Sequence, residues 1–208
     1  MQLSTNDIVT KPKGFIPTPS DFMTIRELTD EGEWPLDYIP VKGLIPYLKR
    51  KGSARGIEIG TARGESTCLI LESCSGMVMT TIDPFLEYDD WIGKLEQDTM
   101  DKFKVIAQTN FSLYPDRAFL INDKAENVSD YFVDGTYDFL FVDGDHTKEH
   151  VKLDLKNYYP KIKSGGLIAI HDMMLNTVSD GLKEFMAENK IRQPLNRLQN
   201  GVVFWTKF

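Results

Sequence analysis

A single doubly wound α/β domain, its sheet mostly parallel and covered by helices on both faces, is the fold this sequence predicts. Three observations carry the prediction. A short apolar run, Gly56-Ile57-Glu58-Ile59, breaks at Gly60 and Gly64 and opens a helical segment over 67–72, the strand, tight turn and helix of a nucleotide cradle. Two later runs, 139–142 and 167–170, show no polar alternation, as strands buried on both faces do. Both stop abruptly at ionisable residues, Asp143-Gly144-Asp145-His146 and His171-Asp172. In an open α/β sheet that is the edge where ligands bind.

The chain has 208 residues, 41% hydrophobic and 26% charged, enough for one domain with a sizeable core. A formal charge of −7 and a pI near 5.0 argue against nucleic acid as the main partner, because phosphate binding needs a basic face. The one basic cluster, Lys49, Arg50, Lys51 and Arg55, reads as a solvated helix end. Cys68 and Cys74 have neither metal-site spacing nor a disulfide framework, no basic stretch followed by an apolar one opens the sequence, and no apolar run reaches membrane length. A cytoplasmic setting with no membrane partner is therefore expected. The partner class that remains is a small molecule, and a homodimer stays open.

Residues 1–45 carry Phe15, Pro17, Pro19, Phe22, Trp34, Pro35, Tyr38 and Pro40, too many prolines for a long helix. They are expected to form an N-terminal arm or lid, with the domain proper at 46–208 and a helix near 41–51 feeding the first strand. At the glycine turn the pattern is Glu58-x-Gly60-x-x-x-Gly64, with Ala62 where a dinucleotide fingerprint needs its middle glycine. A dehydrogenase is therefore disfavoured. Glycines let backbone approach a ligand closely, the following helix N-terminus favours an electron-rich group, and Thr61 and Ser66 offer hydroxyls.

The next strand, 77–82, stops at Asp83-Pro84, roughly 20 residues past the glycines, where a carboxylate is placed to accept hydrogen bonds from ribose hydroxyls. Residues 91–108 are expected to be helical, and 117–121 to form a third strand ending at Asn122-Asp123-Lys124. After the fourth strand, 139–142, a helix over 148–159 offers Val151, Leu153, Leu155 and Tyr158 to the sheet. Lys163-Ser164-Gly165-Gly166 reads as a turn into the fifth strand, 167–170. His146 and His150 are weaker site candidates, His150 because it falls inside the helix and reads as a surface residue.

The glycine stretch resembles the first motif of class I S-adenosylmethionine-dependent methyltransferases, which implies a Rossmann-like sheet. In that family the acid at Glu58 faces the methionine end of the cofactor, the turn from Gly60 to Gly64 passes beneath it, and the junction at Asp123 and Lys124 touches adenine. Val142-Asp143-Gly144-Asp145-His146 and Gly165-Gly166-Leu167-Ile168-Ala169-Ile170-His171-Asp172 resemble the subgroup containing macrolide- and aminocoumarin-sugar O-methyltransferases and cephalosporin-hydroxylase-like proteins. The resemblance extends over 56–207 and implies an antiparallel closing strand at 201–207. It also implies a divalent metal, Mg²⁺ or Mn²⁺, on Asp143, His171 and Asp172, with Asp145 as base. The chain departs from that pattern at His171, where an acid is more common.

Physical chemistry supports a cation independently. Carboxylates at the ends of strands about 4.8 Å apart repel unless a cation or proton intervenes. A metal-free site in which Asp145 or His171 alone acts as base, with Asp172 capping a helix, stays open. The expected function is methylation of a small-molecule hydroxyl, with a sugar as one acceptor. Metal-independent methylation of nitrogen or oxygen, and a non-catalytic cofactor-binding module, are the alternatives.

Overall fold

The computed structural model describes residues 39–90 and 93–208. The expected arm over 1–45 falls mostly outside them. A 3₁₀ turn, Pro40–Leu44, and a short helix α1 (Ile45–Lys49) lead into β1 (Ala54–Ile59) and α2 (Glu65–Ser73). There follow β2 (Met77–Ile82), a hairpin of β3 (Tyr88–Asp90) and β4 (Gly93–Leu95), α3 (Gln97–Phe111), β5 (Ala118–Ile121) and α4 (Ala125–Val128). The chain closes with β6 (Tyr137–Val142), α5 (Lys148–Tyr158), β7 (Ile162–Ile170), α6 (Asn176–Glu188), β8 (Asn196–Arg197) and β9 (Val203–Thr206). Among the described residues no helix is long and apolar enough to cross a membrane.

Seven strands form one sheet in the order β5-β2-β1-β6-β7-β9-β8. The first five are parallel, and β9 runs antiparallel to β7. Strand side chains alternate between two cores, as the two-residue period of a strand requires. Phe139, Phe141, Leu167, Ala169 and Phe204 pack with Leu48, Ile70, Leu71, Ala107 and Phe111 of α1, α2 and α3. On the other face Ile57, Leu140, Val142, Ile168 and Ile170 meet Val128, Val151, Leu155, Leu182 and Phe185 of α4, α5 and α6. Helices thus cover both faces. The strand order reverses between β1 and β6, and the crevice of such a sheet opens at that point.

Three expectations need correction. The helix expected over 91–108 starts later, because 88–90 and 93–95 form the β3–β4 pair and Gly93 takes a φ of +125°, which no α-helix accepts. Its apolar start, Trp91 and Ile92, lies outside the described residues. Residues 163–166, expected as a turn, belong to β7, with a register irregularity against β6 between Tyr137 and Phe139. On α5 the buried face is Val151, Asp154, Leu155 and Tyr158, with Leu153 only half-buried, because positions i, i+3, i+4 and i+7 share one side of a helix.

Candidate active site

At the strand-order reversal lies a cleft of about 450 Å³. The turn after β1 forms its floor, and Gly60 is there for a specific reason. Its φ is +87°, and a Cβ on it would sit 2.0 Å from the Asp143 carbonyl oxygen, so the turns after β1 and β6 pass through each other's space. The glycine admits a neighbouring strand's backbone, and it also lines the cleft, where the sequence suggested a ligand. Gly60 N–H donates to Ile82 O (2.9 Å) and Asp143 N–H to Ile59 O (2.8 Å), which ties three strand ends together. Gly64, at φ +77°, is the N-cap of α2 and lies under the Phe111 ring, 2.6 Å from where its Cβ would be. It shapes the helix entry and does not line the cleft.

Around that floor Glu58, Thr61, Ser66, Asp83 and Lys124 line the cleft, as the sequence suggested. Glu58 accepts a hydrogen bond from Thr67 Oγ1 (2.7 Å). Burial pushes its carboxyl up to about 8, against the Thr67 hydrogen bond and with help from Asp143 and Asp83. Asp83 Oδ2 accepts the backbone N–H groups of Thr61 and Ala62 (2.9 Å each), and Oδ1 that of Phe85 (2.8 Å). Burial raises the Asp83 carboxyl while those three bonds pull it back. Asp83 therefore holds the glycine turn in shape as well as facing the cleft. Thr61 Oγ1 is buried with no hydrogen-bond partner among the described residues, a polar atom left for a bound group to satisfy. Asp123 lies outside the lining and instead accepts from Lys124 N–H (2.7 Å) and the Asn127 amide (2.8 Å) at the start of α4.

On the facing wall stand Asp143, Asp145, His146 and Asp172. Asp143, His146 and Asp172 each offer one ligand atom, all within 4.8 Å of one another. His146 Nε2 is 2.9 Å from Asp172 Oδ2. His171, expected among the ligands and as a base, sits behind them with both ring nitrogens engaged. Nδ1 is 2.9 Å from Asp143 Oδ1 and 3.2 Å from Asp172 Oδ2, and Nε2 donates to the Asn200 carbonyl (3.2 Å). Burial opposes a charge on the His171 ring, but Asp143 and Asp172 outweigh it and raise the imidazole to about 10. Burial likewise opposes ionisation of Asp172, yet hydrogen bonds from His146 and His171 hold that carboxyl well below the usual range. Asp172 adopts a φ of +52°, a left-handed conformation that residues other than glycine seldom take.

Asp154, which reading the sequence passed over, also lines the cleft while only 4% exposed. Burial, reinforced by Glu126 and Asp145, pushes it up to about 8. The signal was legible: an acid on the face of α5 shared by Val151 and Leu155.

Residues 57–173, more than half of the chain, match the methyltransferase-domain family. Three solved structures share the fold. The O-methyltransferase from Bacillus cereus, in complex with S-adenosylhomocysteine, is 16% identical over 93% of this chain and 94% of its own, with a TM-score of 0.61. The S-adenosylhomocysteine-bound Podospora anserina methyltransferase PaMTH1 is 18% identical over 88% of this chain and 84% of its own, at 0.60. The O-methyltransferase NovP is 18% identical over 89% of this chain and 78% of its own, also at 0.60. At these identities the likeness concerns the fold. No curated protein sequence matches the chain. The matched span runs from within β1 to just past Asp172 and so contains the whole glycine turn and both acidic strand ends. By that match the chain belongs to the methyltransferase-domain family, as a class I S-adenosylmethionine-dependent methyltransferase.

Proposed function

We propose that this methyltransferase acts on a hydroxyl oxygen of a small molecule, a sugar being one such acceptor, with a divalent cation held by Asp143, His146 and Asp172. The observation that carries the reading is the convergence of two carboxylates and an imidazole within 4.8 Å on the cleft wall facing the glycine turn. That donor set fits a hard-to-borderline ion, and the imidazole favours Mn²⁺ over Mg²⁺. Such an ion supplies positive charge that makes an acceptor oxygen more acidic. S-adenosylmethionine supplies an electrophilic methyl on a sulfonium.

The protein's own residues do the rest. Glu58 and the turn from Gly60 to Ser66 would seat the methionine end, Asp83 the ribose, and Lys124 the adenine side. Asp145 stands on the same wall, 3.4 Å from His150 Nδ1, where the acceptor's proton would be removed. His171, bonded to Asp143 and beside Asp172, fixes the orientation of both carboxylates, the outer-layer role that metal sites commonly need. NovP and the Bacillus cereus protein are described as O-methyltransferases, which agrees with an oxygen acceptor.

Mn²⁺ titrated into chelator-treated protein tests the reading, followed by calorimetry and by the electron paramagnetic resonance of the ion. One site per chain is expected, lost in His146→Ala and Asp172→Asn, with S-adenosylhomocysteine still bound by both variants. A second reading has its own support, since His146 and His171 already pair with Asp172 and Asp143 without any cation. Undiminished turnover after chelation would favour that metal-independent course.

A further inference from the structure

We infer that His150 Nε2 takes the proton from the acceptor hydroxyl, with Asp145 and Thr147 holding the ring; the inference rests on the methyl-transfer reading above. Asp145 is poorly free to act alone. Its Oδ1 accepts the Thr147 N–H at 2.7 Å, and its Oδ2 lies 3.4 Å from His150 Nδ1. Thr147 is the N-cap of α5, its hydroxyl accepting the His150 backbone N–H. The same Oγ1 is 2.8 Å from His150 Nδ1.

The carboxylate favours one tautomer. The Thr147 hydroxyl can donate to Nδ1 or accept from it, but the Asp145 carboxylate 3.4 Å away only accepts and carries negative charge, which favours the hydrogen on Nδ1. The lone pair is then on Nε2, which has no hydrogen-bond partner among the described residues. His150 lines the cleft, and its side chain is 46% exposed, so this lone pair has room to meet a substrate. His146 and His171 are engaged with Asp172 and Asp143 instead. As a class, imidazoles are stronger bases than carboxylates by about two orders of magnitude.

The step balances. The acceptor O–H bond breaks, its proton goes to Nε2, and the oxygen electron pair forms the new bond to the methyl carbon. The carbon–sulfur electrons return to sulfur, which leaves as a neutral thioether. The imidazolium then releases its proton to water on the exposed side.

Two measurements decide the matter. In ¹⁵N-labelled protein saturated with S-adenosylhomocysteine, two-bond nitrogen–proton correlation reads the His150 tautomer without any acceptor. The Nδ1–H form is expected, shifting toward Nε2–H in Asp145→Asn; an Nε2–H form in the unaltered protein overturns the inference. With S-adenosylmethionine and the probe acceptors catechol and methyl glucoside, His150→Gln should lower kcat about 10²–10⁴-fold. Cofactor and Mn²⁺ affinities should change by less than about threefold, within the roughly 0.7 kcal/mol that separates an untouched site from a perturbed one. Added imidazole should partly restore His150→Ala, which a ring serving only as a helix cap would not allow. A His150→Gln enzyme turning over within about threefold of the original overturns the role and leaves methyl transfer standing. Unaltered protein that fails to bind S-adenosylhomocysteine refutes the methyl-transfer reading itself.

Discussion

Asp83 does two jobs with one carboxylate. It faces the cleft, and it accepts three backbone N–H groups that shape the turn after β1. Asp83→Ala should therefore weaken S-adenosylhomocysteine binding by about 1.5–3 kcal/mol, roughly 10- to 100-fold, for the lost hydrogen bonds to a charged acceptor. Calorimetric titration checks this, and unchanged affinity would remove Asp83 from the site. Asp83, Asp143 and Asp172 were legible because each falls at the end of an apolar run, and Glu58 because it interrupts one just before the glycines. Which histidine stands in front was not legible. His171 is turned back by the Asn200 carbonyl, 29 positions away, and His146 is brought forward by Asp172, a residue of another strand end. Such choices depend on how strands pack, and local sequence does not carry them.

At the scale of elements, the end of β6 fell where its apolar run lies, since a strand buried on both faces leaves an unbroken signal, and β2 was marked by Met77, Val78, Met79 and Ile82. The β3–β4 hairpin did not, because three-residue strands with exposed, charged side chains give no periodicity to detect. Central strands should also tolerate least. Val142, 3% exposed, sits between β1 and β7 in the core formed with α4, α5 and α6. Val142→Asp should abolish cooperative folding, since an unpaired buried charge costs several kcal/mol against a total stability of about 5–15 kcal/mol. A soluble variant with a sharp melting transition would contradict the packing described for β6.

The whole molecule should be sensitive to pH in one direction. Glu58 and Asp154 are pushed up to about 8 in the folded state, so native protein keeps protons there that the unfolded chain releases above about pH 4. Folding stability contributed by these groups falls as pH climbs from about 4 to 8. His171 adds to the trend. Raised to about 10, its charged ring stabilises the fold fully below about pH 6.5, and that contribution is lost as pH rises through 10. The ligand-free protein should thus melt at progressively lower temperature between pH 5 and pH 9, measured by scanning calorimetry. Asp154→Asn should flatten the slope below pH 8. A melting temperature that climbs across this range would show that these buried groups ionise normally.

The place where Gly60 yields its Cβ position to the Asp143 carbonyl joins the backbone under the cofactor turn to the backbone that carries the acid cluster. Whatever straightens the turn after β1 also sets the backbone that carries Asp143, and the converse holds with equal force. Thermodynamic reciprocity then requires that any factor by which the cofactor changes the affinity for a cation equal the factor by which a cation changes the affinity for the cofactor. Paired titrations of S-adenosylhomocysteine with and without Mn²⁺, and of Mn²⁺ with and without S-adenosylhomocysteine, should return one common coupling factor. The shared seam sets no order of loading: either half can fill first, and each would prepare the other to the same degree.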